Sequence, residues 1–264
     1  MTADPGELLS LAVAAATAAG RLLVDERPRD LGVGTKSTPT DVVTVMDRRA
    51  ERLLVERLQA ARPDDGFLGE EGTQAVGGSG VRWVLDPIDG TVNYLYDLPG
   101  WAVSVAAEVD GEVAVGVVHV PTYGETFAAV RGGGATRNGV PVHVSTCEQL
   151  SQALVATGFG YAAARRARQA RVLAEVLPRV RDVRRFGAAS VDLCAVACGR
   201  VDGYYERGLK PWDLAAGGLV AQEAGALVAG LRGAPASEEL VLAASRTLFP
   251  ALHDLLDPLA PDRD

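Results

Sequence analysis

The sequence predicts an α+β chain whose second part changes to an alternating α/β arrangement. Two helical patterns come first and are followed by strands joined at tight-turn dipeptides, which is typical of helices packed on an antiparallel sheet. From about Ser151, helical and strand patterns alternate instead. We expect one domain over residues 1–264, with an N-terminal α+β lobe at 1–148 and a C-terminal α/β lobe at 149–264.

Composition supports a large buried core and disfavours some partners. The chain has 264 residues, of which 48% are hydrophobic, and a formal net charge of −8. This charge argues against nucleic-acid binding, and a negatively charged substrate would need local compensation by metal ions or helix N-termini. We expect a cytoplasmic protein whose three cysteines, Cys147, Cys194 and Cys198, stay reduced. The N-terminus is acidic, unlike a secretory signal, and no run reaches the roughly 18 apolar residues of a membrane span.

Two helices are predicted in the first 62 residues. The first covers about Pro5 to Arg27, and the second covers about Val42 to Arg62. Between them, Leu31 to Asp41 is a polar loop that is long enough to act as a mobile flap. Its Lys36 is either a solvated lysine or a site residue. Asp47, in the first turns of the second helix, either interacts with the helix dipole or reaches a metal-bound water.

A short strand at Phe67 to Gly69 leads into Glu70 and Glu71. Adjacent residues at a strand end point to opposite sides, so only one of the two carboxylates is expected to face a pocket. Gly77 to Gly80 is expected to form a flexible tip before the next strand.

The stretch from Trp83 to Thr91 is the most informative part of the sequence. Its apolar strand should deliver Asp86 to the carboxyl end of a sheet, and Pro87 is expected to end the pairing there. The groups expected to converge next are the Ile88 carbonyl, the Asp89 carboxylate and the amides of Gly90 and Thr91. Such a set fits a site for a divalent cation and a phosphate.

Two other interpretations of this stretch are open from the sequence. Asp-Gly is a common turn dipeptide, and a lone aspartate at a strand end often only caps a helix. The aspartyl-phosphate motif Asp-x-Asp-Gly-Thr is excluded by spacing, because Pro87 would occupy the position of its nucleophile.

Further strands are predicted downstream. Those of the N-terminal part are Ala102 to Val109, Val113 to Val120, Thr126 to Arg131 and Val142 to Val144, with turns at Asp110-Gly111 and Asn138-Gly139. Those of the C-terminal part are Ala153 to Thr157, Asp182 to Arg185, Val201 to Tyr205, Ala226 to Val228 and Leu240 to Ala243.

Four helices alternate with the C-terminal strands. They are predicted at Arg165 to Leu177, Ala189 to Ala197, Leu214 to Ala224 and Thr247 to Leu256. The arginines of the first form a solvated face rather than a nucleic-acid patch. The unblocked N-terminus at Gly187 to Ala189 could bind an anion. Asp213 is either an N-cap or a site residue.

Several ordered motifs together are more specific than any one of them. They are Lys36-Ser37, Thr40-Asp41, Asp47, Gly69-Glu70-Glu71, Trp83 to Thr91 with Asn93, Gly187-Ala188-Ala189, Glu206 and Trp212-Asp213. In these motifs the chain resembles the inositol monophosphatase family of metal-dependent, lithium-sensitive phosphatases. The resemblance implies a layered αβαβα sandwich of the inositol monophosphatase and fructose-1,6-bisphosphatase type, usually a homodimer, that hydrolyses a phosphate monoester with two or three Mg²⁺ ions.

The resemblance also implies residue roles. Glu70, Asp86 and the Ile88 carbonyl resemble one metal site, and Asp86, Asp89 and Asp213 resemble a second. Thr91 and Asp47 resemble the pair that orients the attacking water, and Glu70 belongs with them among the catalytic residues. The groups that resemble substrate contacts are Asp89, the amides of Gly90 and Thr91, Gly187, Ala189, Glu206 and Asp213.

The motifs indicate the substrate less specifically than they indicate metal binding. The chain departs from the family at Val92, at Tyr94 and in the Ala-Ala-Ser that follows Gly187. Glu206 favours a polyol such as inositol 1-phosphate, because a carboxylate accepts hydrogen bonds from ring hydroxyls. Histidinol phosphate or another small sugar or polyol phosphate is the alternative. A regulatory protein that associates with the transcription machinery is a reading of a different class.

Overall fold

A computed structural model describes residues 4–263 of the chain. Met1 to Ala3, with which the acidic N-terminus begins, lie outside the described residues. The described helices are α1 (Pro5–Asp25), α2 (Val45–Ala61), α3 (Thr91–Leu95), α4 (Ala163–Val176), α5 (Ala189–Ala197), α6 (Pro211–Glu223) and α7 (Phe249–Leu256).

The described strands fall into two groups along the chain. The first group is β1 (Gly34–Thr35), β2 (Val42–Val43), β3 (Gly66–Gly69), β4 (Gln74–Ala75), β5 (Val81–Asp89), β6 (Ala102–Val109), β7 (Glu112–Val120), β8 (Glu125–Val130), β9 (Gly134–Arg137) and β10 (Val140–Pro141). The second group is β11 (Leu154–Thr157), β12 (Asp182–Arg184), β13 (Gly203–Glu206), β14 (Ala226–Ala229) and β15 (Val241–Ser245).

The larger sheet has eight strands in the order β10-β9-β8-β7-β6-β5-β3-β4. Its neighbouring strands are antiparallel except β3 and β5, which run parallel. The predicted turn at Asp110-Gly111 joins β6 to β7, and both of its residues have positive φ, 52° and 86°. Because β3 and β5 are parallel, their carboxyl ends meet at one edge, which brings Glu70 towards Asp86.

A smaller sheet has five strands in the order β12-β11-β13-β15-β14. β11 runs parallel to both of its neighbours, whereas β15 is antiparallel to β13 and β14. The two sheets thus use separate parts of the chain. The division into lobes at residue 148 stays a prediction.

The layers alternate as the resemblance implied. α1 and α2 cover one face of the larger sheet, α5 and α6 lie between the sheets, and α4 and α7 cover the outer face of the smaller sheet. Strand alternation fixes the faces of β5: Trp83 and Leu85 pack towards α1 and α2, and Val84 packs towards α5 and α6. The αβαβα sandwich is confirmed.

α1 is long and apolar enough, by length and composition, to cross a membrane. The sequence predicted no membrane span here, because Ser10, Thr17 and Arg21 divide the apolar residues of α1 into shorter runs. The buried face of α1, which includes Leu8 and Leu23, belongs to the core under the larger sheet. In this structure α1 therefore packs one face against the larger sheet.

The prediction that Pro87 ends the pairing of its strand is wrong. Asp86 pairs with Ser104 and Asp89 pairs with Ala102, so three steps along β5 face two steps along β6. Pro87 lies inside this β-bulge, where its missing N–H costs no ladder hydrogen bond. β5 therefore runs on to Asp89, and the bulge changes the direction of the side chains that follow Asp86.

Several other boundaries differ from the predictions, and for two of them the structure shows the physical reason. α2 begins at Val45 rather than Val42, because β2 pairs with β1 across the predicted flap and Thr44 then caps the helix. The predicted strand at Val142 to Val144 is replaced by β10, since the Val144 amide leaves the sheet to donate to the Ala224 carbonyl at the end of α6. The strands β1, β2, β4 and β9 and the helix α3 were not predicted.

Glycines allow close packing around α6. A β-carbon on Gly116 of β7 would lie 2.7 Å from the Ala216 carbonyl oxygen, and one on Gly217 would lie 3.0 Å from the Ser190 α-carbon of α5. Gly217 therefore lets α6 pack closely against α5. At Gly218 the nearest atom belongs to the flexible Leu214 side chain. The position of α6 thus depends on two glycines.

We expect Gly116→Ala to destabilise the protein by about 1–3 kcal/mol, because overpacking pushes α6 away from the larger sheet. Urea unfolding of the variant and the wild type measures this loss. Gly78→Ala is the matched control, since a β-carbon there meets no atom within 4 Å. Equal stability of the two variants would contradict the close approach.

Candidate active site

A cavity of about 470 Å³ opens at the carboxyl end of β5. It is lined from segments within 36–41, 86–91, 158–165, 185–189 and 206–213, together with Glu70 and Glu238. The predicted site residues that line it are Glu70, Asp86, Ile88, Asp89, Gly90, Thr91, Gly187, Ala189, Glu206 and Asp213. The remaining predicted residue, Asp47, is fully buried and adjoins Thr91.

Three carboxylates converge on one side of this cavity. One oxygen from each of Asp86, Asp89 and Asp213 lies within 4.8 Å of the other two. Asp86 is placed by β5 on the same face as Val84, towards the layer of α5 and α6. Asp213 is placed by the third position of α6 and not by its N-cap, which is Lys210. Its Oδ2 accepts a hydrogen bond of 2.7 Å from the Lys210 amide.

Asp89 is held by the N-terminus of α5. Its Oδ1 accepts from the Ala189 amide at 3.2 Å, and its Oδ2 accepts from the amide and the hydroxyl of Ser190, both at 2.6 Å. The prediction of an unblocked anion site at Gly187 to Ala189 is therefore wrong for the amides of α5. The anion that these amides bind is Asp89 itself.

Crowding and burial make the three carboxyl groups hard to ionise. Burial raises the pKa of Asp86 well above its usual range, and the neighbouring carboxylates of Glu70, Asp89 and Asp213 raise it further. Burial also raises the pKa of Asp213 well above its usual range, and the charge of the Asp89 carboxylate is the next largest cause. The pKa of Asp89 is raised by burial to about 6, because the hydrogen bonds from Ser190 partly offset this cost.

Glu70 and Glu71 share the ammonium group of Lys36. Lys36 Nζ lies 2.8 Å from Glu70 Oε1 and also contacts Glu71 Oε1. Burial lowers the pKa of Lys36, but the two carboxylates raise it by more, so its pKa lies above the ordinary value. Lys36 is thus not a solvated loop lysine. Glu70 lines the cavity and Glu71 does not, but the two side chains do not point to opposite sides as predicted, because both reach Lys36 Nζ.

Thr91 links two of the predicted functional groups. Its Oγ1 lies 3.2 Å from Asp47 Oδ1 and 3.0 Å from the Ile88 carbonyl oxygen. A threonine hydroxyl has one hydrogen, so these two acceptors share it or alternate. Asp47 Oδ2 accepts from the amide and the hydroxyl of Thr44, at 2.7 and 2.6 Å. Asp47 is therefore both the capping-box residue of α2 and the partner of Thr91.

The far end of the cavity is lined by Glu206, Arg185 and the chain at 187–189. Tyr204, two residues before Glu206 on β13, donates a hydrogen bond of 2.7 Å to Glu206 Oε2. Burial raises the pKa of Glu206 to about 7, while Tyr204 and Arg185 partly lower it. Asn93 fixes the neighbouring loop through a hydrogen bond of 2.7 Å to the Phe186 carbonyl.

Sequence reasoning missed two residues of this site. In the sequence Ser190 stands only within a small-residue run that departs from the family, yet its hydroxyl donates to Asp89. Tyr204 stands only within a predicted strand, although the alternation of β13 places it on the same face as Glu206. That alternation was a signal available in the sequence.

The donor set fits a hard divalent cation. Glu70 Oε2 is buried and has no hydrogen-bond partner among the described residues, although Oε1 of the same carboxylate is bound to Lys36. Carboxylate oxygens are the ligands that Mg²⁺ prefers. A cation among these groups would satisfy the free oxygen and offset the repulsion within the cluster.

Comparison with known proteins points to the same family as the sequence motifs. Residues 4–262 match the model of the inositol monophosphatase family. The chain is 48% identical over 248 residues to inositol-1-monophosphatase of Mycobacterium leprae, which covers 85% of this chain and 84% of that protein. It is 39% identical over 255 residues to the Nus factor SuhB of Pasteurella multocida, which covers 94% of this chain and 95% of that protein.

Solved structures agree with the sequence comparison. The chain superposes on SuhB of Mycobacterium tuberculosis with a TM-score of 0.84 and 39% identity, over 98% of this chain and 99% of the other. The TM-score with the suhB protein of Bartonella henselae is 0.90 at 36% identity, over 95% of this chain and 98% of the other. The chain therefore belongs to the inositol monophosphatase family, and it is a phosphatase enzyme of that family.

Proposed function

We propose that the protein is a Mg²⁺-dependent phosphomonoesterase that hydrolyses inositol 1-phosphate to inositol and phosphate. The observation that carries the proposal is the convergence of Asp86, Asp89 and Asp213 beside the unpartnered oxygen of Glu70. Clustered carboxylates of this kind match the oxygen ligands of Mg²⁺.

The metal would be held by groups from β5, α6 and the turn after β3. Glu70, Asp86 and the Ile88 carbonyl would hold one ion, and Asp86, Asp89 and Asp213 would hold a second, with Asp86 common to both sets. When bound, these ions supply Lewis-acid charge that activates water and stabilises the leaving oxygen.

Thr91 and Asp47 would orient the attacking water. While its hydrogen points to Asp47 Oδ1, the Thr91 hydroxyl presents its lone pairs to the cavity and can accept a hydrogen bond from water. Asp47 is the last acceptor in the series of hydrogen bonds that runs from water through Thr91. Burial raises the pKa of Asp47 despite the hydrogen bonds from Thr44. A raised pKa makes Asp47 a better proton acceptor than an exposed aspartate.

The phosphate would lie against the first turn of α3. Gly90 has φ 91° and precedes this helix, and its carbonyl accepts the Tyr94 amide at 3.0 Å. The first amides of a helix have no partner within it, so the Gly90 and Thr91 amides suit a phosphate oxygen. In phosphoryl transfer, positioning and charge stabilisation provide most of the catalysis.

The alcohol part would contact Gly187, Ala189 and Glu206. Glu206 is the group best suited to accept hydrogen bonds from polyol hydroxyls. The names of the mycobacterial relatives support inositol 1-phosphate as the substrate. Histidinol phosphate is the alternative, and kcat/KM values for a panel of phosphate esters would separate the two.

The cellular setting is also proposed. A cytoplasmic location is supported by the three free cysteines among the described residues. The basis for a homodimer is the family resemblance, and the absence of nucleic-acid and membrane partners stays a prediction. A regulatory role is favoured only by the Nus factor name of relatives such as that of Pasteurella multocida.

We expect Asp89→Asn to lower kcat/KM with Mg²⁺ by about 100-fold or more. Mutation of a residue that only hydrogen-bonds a metal ligand typically lowers metal affinity or activity about 10–100-fold. Loss of a direct ligand should lower activity at least as much. Steady-state kinetics measures the loss, and circular dichroism checks the fold. Asp64→Asn, an exposed carboxylate remote from the cavity, is the control. An Asp89→Asn enzyme with near-wild-type turnover would contradict the proposal.

Mg²⁺ should stabilise the protein more at pH 8 than at pH 5. Because the folded carboxylates have raised pKa values, the metal-free protein loses stability as pH rises from about 4 to 6, the range between the ordinary and the folded pKa of Asp89. At pH 8 a Mg²⁺ concentration of about 100 times Kd adds about 2.7 kcal/mol, or about 5–10 °C in Tm. At pH 5 protons compete, so the gain in Tm shrinks. Thermal melts at matched ionic strength test this, and equal gains at both pH values would contradict it.

Tyr204→Phe should raise KM by about tenfold and change kcat less, because Glu206 loses a hydrogen bond to a charged group. The lost bond also raises the pKa of Glu206 further above 7, so the KM defect should be larger at pH 7 than at pH 9. Kinetics at both pH values measures this. Tyr205→Phe, on the opposite face of β13, is the control, and an equal change in both variants would count against a role for Tyr204.

A further inference from the structure

Glu51 is a buried carboxylate that the proposed mechanism does not use. It lies on α2, one turn after Asp47, and is 3% exposed. Residues four apart share one face of a helix, so α2 directs both carboxylates towards the same edge of the larger sheet. Asp47 binds Thr91 after β5. Glu51 binds the turn after β3.

The Glu51 carboxylate accepts hydrogen bonds from the turn that carries Glu70 and Glu71. Its Oε2 accepts from the Glu71 amide at 2.8 Å. Its Oε1 accepts from the Thr73 amide at 3.1 Å and from the Thr73 hydroxyl at 2.6 Å. Hydrogen bonds to an ionised acceptor are about twice as strong as neutral ones. These three hydrogen bonds therefore hold the turn against one buried charge.

The backbone of this turn is shaped around that charge. The Gly69 amide donates to the Thr73 carbonyl at 2.7 Å, and the Glu70 amide donates to the Leu85 carbonyl of β5 at 3.1 Å. A β-carbon on Gly69 would overlap the Glu51 carboxylate. The glycine of the Gly-Glu-Glu motif is thus required by the approach of Glu51.

We propose that Glu51 is a positioning residue that holds the turn at 69–73 in the conformation in which Glu70 and Glu71 meet Lys36 and Glu70 adjoins Asp86. This inference rests on the proposed function of Glu70 as a metal ligand. Without Glu51, the amides of Glu71 and Thr73 lose their acceptor, and the Glu70 carboxylate loses its fixed backbone.

The test compares Glu51→Gln with the wild type in three measurements. The Mg²⁺ concentration for half-maximal activity should rise about 10–100-fold, as for other outer partners of metal ligands, while kcat at saturating Mg²⁺ changes less. Calorimetric titration of the metal-free protein with Mg²⁺ should show the same weakening of affinity. Amide hydrogen exchange at Glu71 and Thr73 should be faster than in the wild type.

Asp65→Asn is the matched control. Asp65 is also a buried carboxylate of this layer, and it accepts hydrogen bonds from Ser79 and Trp83 at 2.6 and 2.9 Å. It precedes β3, at the opposite end from Glu70. This variant should lower Tm and leave both Mg²⁺ affinity and exchange at Glu71 and Thr73 unchanged. Thr73→Val removes one donor to Glu51 and should change the three measurements in the same direction by a smaller factor.

The inference is overturned if Glu51→Gln and Thr73→Val lower Tm as Asp65→Asn does but leave Mg²⁺ affinity and amide exchange at wild-type values. A wild-type protein that binds no Mg²⁺ in the titration would overturn the proposed function instead. The two failures are distinguishable, because the second appears without any variant.

Discussion

Repulsion among carboxylates in one buried corner is the constraint to which the rest of the site responds. Asp86, Asp89 and Asp213 place oxygens within 4.8 Å of one another, and Glu70 adjoins Asp86. Burial of a charge is costly unless it is paired and hydrogen-bonded. Such an arrangement is stable when a bound ligand offsets the free-energy cost of burying these charges, and the charge of a multivalent cation can do so.

The groups around this corner stabilise it without cancelling its charge. Asp89 is bound by α5 amides and a hydroxyl, and Asp213 by the Lys210 amide. These are neutral donors, so they fix the carboxylates and leave their negative charge available. The cation Lys36 binds only at the edge of the cluster, through Glu70 and Glu71. The site thus combines fixed carboxylate oxygens with an excess of acidic groups, an arrangement that suits a hard divalent cation.

Local signals in the sequence were sufficient for most of the helices and strands, whereas the layered arrangement and the roles of most cavity residues came from the resemblance to the family. Periodicity gave the helices, and turn dipeptides gave the hairpin of β6 and β7. The bulge at Pro87 was missed because proline also ends strands, and only the pairing partner on β6 decides between the two outcomes. The engagement of α5 by Asp89 was missed for a similar reason. A contact across 100 residues leaves no local trace in either segment.

The bond between Asp89 and α5 also bears on when the enzyme becomes active during its synthesis. The larger sheet is complete at residue 141, but the amides that hold Asp89 belong to residues 189 and 190, and Asp213 comes later still. Contacts between such distant segments close late in folding, because they must overcome the entropy of a long loop. A chain synthesised only as far as β10 therefore contains every strand of the larger sheet but lacks the α5 amides that hold Asp89, the Asp213 carboxylate and the helices that cover the second face of that sheet.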